Sequence, residues 1–106
     1  MSEETALLIE RVSALLGDSV RDVEGTLTDG YAGALALEAE RVRLERRFAE
    51  LTRSLADNQG SEGLPELRSL RLDISRTDDE LSQLRAVLAQ VRERLIAAGV
   101  ALAESR

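Results

Sequence analysis

At 106 residues the chain has room for one domain, and its net charge of −6 argues against wrapping nucleic acid or lying on an anionic membrane, since both need a basic surface. Histidine and cysteine are absent and all 14 basic residues are arginine. That removes the commonest catalytic acid and metal ligand, the thiolate nucleophile and any Schiff-base lysine. With one Phe, one Tyr and no Trp a β-sheet core is poorly supplied, so the expected fold class is all-α.

The first predicted helix covers 3–16. Ser2 is its N-cap, Glu3 and Glu4 suit the positive end of the helix, and Gly17 stops it. Its apolar face is Leu8, Val12 and Leu15, flanked by Ile9 and Leu16.

The second predicted helix covers 19–56, opening at Asp18 or Ser19 with Asp22 placed to complete a cap on Ser19. Its heptad seam has Val20, Leu27, Ala34, Arg41, Phe48 and Leu55 at a, and Val23, Gly30, Leu37, Leu44 and Leu51 at d. Only Gly30 and Arg41 interrupt it. A polar turn over 57–64 carries Asp57 and Glu62, with Glu66 just beyond. The third predicted helix covers 65–103 and starts at Pro65, whose missing N–H costs nothing in a first turn. Its seam is Leu67, Ile74, Leu81, Leu88, Leu95 and Leu102 at a, with Leu70, Thr77, Leu84, Val91 and Ala98 at d. An apolar spacing of 3.5 residues held in phase over about five heptads marks helices that pack knobs into holes. Cap-like stretches at Thr28-Asp29-Gly30 and Thr77-Asp78-Asp79-Glu80 do not shift that phase, so both long helices are read as continuous, with room for kinks at Gly30 and Thr77.

A turn this short makes the long helices antiparallel neighbours, a long coiled-coil hairpin with the short helix at its open end. Residue numbers facing across the seam then sum to 118 or to 125. The first register is preferred, because it sets Arg41 against Thr77 in one polar layer, whereas the second leaves the arginine against Leu84 without a partner. Arg41 in that layer faces Glu38, Glu40, Asp78 and Glu80 and is read either as fixing register or as snorkelling its head to water.

Outside the seam, Tyr31, Leu35 and Val42 form a second apolar stripe on the first long helix, and Val87, Ile96, Val100 and Ala103 add area on the last. Most of it lies away from the turn. Gly30, Gly33 and Ala34 beside it lack bulk and let a helix approach closely. The short helix folds back there, or a second copy docks; ordering a lone two-helix hairpin is costly, and a homodimer is the preferred expectation.

These features point to a cytoplasmic, non-catalytic adaptor or scaffold acting through helix surfaces on a protein partner. No apolar run approaches the roughly 20 residues of a membrane span, and the basic region of a signal peptide is missing. No cofactor, metal or small-molecule substrate is expected. The consecutive acids Asp78-Asp79-Glu80 point in different directions around a helix, and the arginine-rich run 40–47 is offset by Glu38, Glu40, Glu45 and Glu50 at pairing distance. The arginine-only composition reads as a bacterial high-GC genome. The alternative is a regulatory hairpin presenting Asp57, Glu62 and Glu66 to a larger machine; in outline it resembles the coiled-coil factors that enter the RNA polymerase secondary channel, whose acidic tips hold catalytic metal. A lesser alternative comes from Leu67-Arg68 through Leu84-Arg85, which resembles the opening Leu-Arg pattern of small all-helical chorismate-mutase-type dimers. That resemblance implies arginines binding a dicarboxylate, and the lysine such sites use is missing here.

Overall fold

The computed structural model describes residues 2–17, 23–58 and 63–104, the side chains of 58 and 100–104 excepted. Among them stand three helices and no strand: α1 (Glu3–Ala14), α2 (Val23–Asn58) and α3 (Leu64–Glu104). The fold is all-α, a long helix pair with a short helix packed against it.

Ser2 caps α1 with extended backbone, its Oγ accepting the Thr5 N–H at 3.1 Å. The helix ends at Ala14, two residues before the expected limit. There the chain tightens, and the N–H groups of Leu15 and Leu16 donate to the carbonyls of Val12 and Ser13, three residues back. The expected cap of α2 (Asp18, Ser19, Asp22) and the seam residue Val20 lie outside the described residues. α2 runs unbroken through Thr28-Asp29-Gly30 and extends two residues past Ala56. α3 begins at Leu64, where the Gly63 carbonyl accepts the Leu67 N–H at 3.0 Å, so Pro65 takes the second helical position rather than the first. The absent N–H is still costless there, because the first four amides of a helix have no internal partner. α3 also runs unbroken past Thr77, where the tertiary seam prevails over a local capping signal.

The register follows from contacts of unequal size. A Cβ placed on Gly30 would stand 2.7 Å from Leu88, and one placed on Gly63 would stand 2.9 Å from Leu55. Both pairs belong to the register summing to 118. Numbers on α3 fall as those on α2 rise, which is the antiparallel hairpin expected.

α1 lies in the groove between the long helices at the open end. The Ser2 N–H donates to Glu80 Oε1 at 2.9 Å, and at the other end of the helix the Arg94 guanidinium donates to the Leu16 carbonyl. The sequence offset is 78 residues at both ends, so α1 runs parallel to α3 and antiparallel to α2. Arg11 adds an exposed ion pair to Asp29 at 2.9 Å. A 12-residue helix is marginal alone in water, so its order comes from this docking. The buried core is correspondingly local: Val12, Ala34, Leu81, Leu84, Leu88 and Val91 form one cluster, with Leu8, Ile9 and Leu15 packed against it. Nearer the turn, Leu70 is the buried apolar side chain among the described residues. The body measures 71 × 24 × 16 Å.

Candidate functional site

The heptad divides the outer surface of the hairpin into two edges. Flanking the seam at g are Thr26, Gly33 and Glu40 on α2 and Glu80, Val87 and Arg94 on α3. α1 covers this edge. Val12 stands 3.1 Å from where a Gly30 Cβ would be, and Leu8 occupies the space over Gly33. The two glycines are therefore holes for two knobs, the close approach foreseen from their lack of bulk. Leu8, Val12 and Leu15, the apolar face expected of this helix, are spent inside the chain on this contact, Val12 being fully buried.

The opposite edge, positions e and b, carries Tyr31, Leu35, Glu38 and Val42 on α2 and Ser82, Arg85, Ala89, Arg92 and Ile96 on α3. No described element covers it. Leu35 is 66% exposed, Ile96 57%, Tyr31 45% and Val42 41%. Tyr31, Leu35 and Ile96 wall a groove of about 640 Å³ whose floor includes Ala34 and Leu88. Glu38 and Arg85 pair across it, closing it on the side of the turn. Tyr31, Leu35, Val42 and Ile96 are thus brought together from two helices, whereas Val87 lies on the covered g edge against the core; the side chains of Val100 and Ala103 lie outside the described residues.

The polar intruders of the seam behave differently from one another. Thr77 is buried, while Arg41 keeps its stem in the seam and turns its guanidinium outward to Asp78 at 3.0 Å and Glu45 at 3.6 Å. Its ionic partner is thus the neighbour of Thr77 rather than Thr77 itself. With its side chain 35% exposed, the pairs it makes are of the screened, weakly stabilising kind. We expect Arg41→Leu to raise stability by about 1 kcal/mol, through burial of apolar area at an a position, with the hairpin pairing unchanged. A urea titration reads the first, and cross-linking between cysteines placed at Ser54 and Glu66 reads the second; loss of the pairing would show that the arginine sets register.

At the turn, Asp57 is exposed, Glu66 is drawn back along the hairpin onto Arg47 at 2.8 Å, and Glu62 lies outside the described residues. Of the arginines in the Leu-Arg resemblance, Arg68 and Arg85 stand 17 residues apart on one helix, about 26 Å, and face no common pocket. Among the described residues no group of three or more acidic side chains is placed to hold a metal ion, and no helix is long and apolar enough to cross a membrane. No family model, no curated protein and no solved structure matches the chain.

Proposed function

We propose that the protein is a non-catalytic helical interaction module, an adaptor or scaffold of the cytoplasm, that works through the e/b edge of its open end. The observation that supports this is the groove walled by Tyr31, Leu35 and Ile96, large side chains left in water on the edge opposite α1. Soluble helices ordinarily bury such a stripe, and contiguous apolar surface rimmed by polar groups marks a contact site. The rim here is Glu38, Arg85, Arg92 and Glu93. Recognition in this reading is helix in groove, with side chains at intervals of three and four residues as anchors.

The test is capture from an extract of the native host by the immobilised full chain. We expect Leu35→Glu to abolish capture and Glu66→Arg, at the turn, to leave it intact. The opposite pattern would transfer the function to the turn, as a regulatory hairpin. Both residues are exposed, so circular dichroism should be unchanged in either variant.

A further inference from the structure

We propose that the occupant of the e/b edge is a second copy of this chain, set side by side with the first about a twofold axis parallel to the helices, so that α2 of each copy lies on α3 of the other and both turns point the same way. This rests on the reading of that edge as a contact surface and adds to it the partner and the axis.

Charge separates the possible axes. At e, α2 carries Glu24, Glu38 and Glu45, and α3 carries Arg71, Arg85 and Arg92. Within one hairpin Asp78 and Glu45 pair with Arg41, and Glu38 pairs with Arg85. By residue type the α2 margin is acidic and the α3 margin, Asp78 apart, is basic. An axis parallel to the helices lays the acidic margin of one copy on the basic margin of the other. An axis perpendicular to them lays α2 on α2 and α3 on α3, acid on acid and arginine on arginine, which costs association.

Side-chain size agrees with the same axis. At b, α2 presents Thr28 and then the large Leu35 and Val42, and α3 presents the small Ser75, Ser82 and Ala89, with Ile96 following nearest the open end. Residues at one level have numbers summing to about 118, as the Gly30 and Leu88 contact shows. Under the parallel axis, Leu35 then meets Ser82 of the second copy, and Val42 meets its Ser75. Large falls on small in both layers, the interdigitation that close packing needs. Towards the turn α2 is small at b, with Ala49, and the α3 residue at b near its level is Arg68.

The apolar stripe alone is too small for a stable dimer, so the contact has to extend along the hairpin. From Tyr31 to Val42 the helix advances about 17 Å, and over a body 24 Å wide this gives about 400 Å² per copy, half of what a standard interface buries on each side. The remainder has to come from contact along the shared length, which hairpins lying side by side in the same direction supply and hairpins overlapping only at their open ends do not. The product is a four-helix bundle in which all neighbours are antiparallel, with the two α1 helices outside it on the covered g edges.

Sedimentation equilibrium on the full chain, with cross-linking by a short bis-maleimide, tests the proposal; the absence of native cysteine makes introduced ones unambiguous. The expected results are twice the 11.6 kDa chain mass for the wild type, the single-chain mass for Leu35→Glu at unchanged helicity, and a cross-link when Leu35→Cys is mixed with Ser82→Cys. A dimer that cross-links Leu35→Cys to itself and not to Ser82→Cys would overturn the axis. A wild type that remains monomeric at its highest soluble concentration would overturn the second copy as occupant. In that case the interaction reading still stands if capture from host extract depends on Leu35, and falls with it if capture does not.

Discussion

Gly30→Leu is expected to expel α1 from the hairpin and to lower the unfolding free energy by about 3 kcal/mol. Even a single added carbon would stand 2.7 Å from Leu88 and 3.1 Å from Val12, and Leu88 is almost fully buried in the cluster that joins the three helices. Leucine is the better helix former by close to 1 kcal/mol, so propensity alone predicts a gain. The overpacking outweighs it, because Val12 is fully buried and a leucine side chain adds three carbons beyond the one that already crowds it. Urea denaturation followed by circular dichroism gives the loss, and amide exchange over 3–14 shows whether it falls on α1. A stabilised variant with α1 still protected would mean that the glycine is tolerated irregularity and not a packing hole.

Leu84→Ala is expected to cost about 4 kcal/mol, a large part of the roughly 5–15 kcal/mol that holds a small domain together. Leu84 is fully buried opposite Ala34, in the cluster with Leu81 and Leu88, and its side chain lies 3.5 Å from where a Gly33 Cβ would be. Removing it opens a cavity under α1 and the hairpin together, a site that cannot collapse without moving a helix. Leu35→Ala, by contrast, should change the monomer by no more than about 0.5 kcal/mol, since Leu35 is mostly in water. A Leu84→Ala protein unfolding within 1 kcal/mol of wild type would contradict the assignment of the core to this cluster.

Much of the fold was legible because one periodicity carried it. An a/d repeat over two matched segments states the element type, the seam and, with a short connection, the antiparallel pairing. The register was narrowed to two choices by sequence and resolved in the structure by Gly30 against Leu88 and Gly63 against Leu55. Those pairs matter through size, which a list of apolar positions records poorly. Element ends were less legible. Cap residues act within one turn, and at Ala14 and Leu64 the chain satisfied its free amides and carbonyls by tightening or by starting earlier. Glu80 is the clearest correction. In sequence it joins the acids around Arg41 and completes a local cap with Thr77; in the fold Arg41 pairs with Asp78 and Glu45, and the Glu80 carboxylate accepts the Ser2 N–H across 78 residues and helps place the start of α1. No short-range pattern encodes a contact of that separation.

The stripe of Tyr31, Leu35 and Val42 was visible as apolar positions outside the seam. What could not be read was which edge α1 would take, and hence which edge stays open. That choice turns on Gly33 at g and on the fit of Leu8 into it, a matter of shape decided between helices and not within one.

The position of α1 makes cohesion along the hairpin unequal. Where it docks, the cross-section has three helices and the side chains of the main cluster; beyond Arg43 towards the turn, two helices of the single chain share a thinner seam in which Leu70 is the buried apolar side chain among the described residues. A stalk of this kind has an anchored root and a compliant shaft. Thermal opening should begin at the far end and advance like a zip until it reaches the three-helix root, so a load applied at the turn is absorbed as fraying of the shaft and not passed on as rotation of the root.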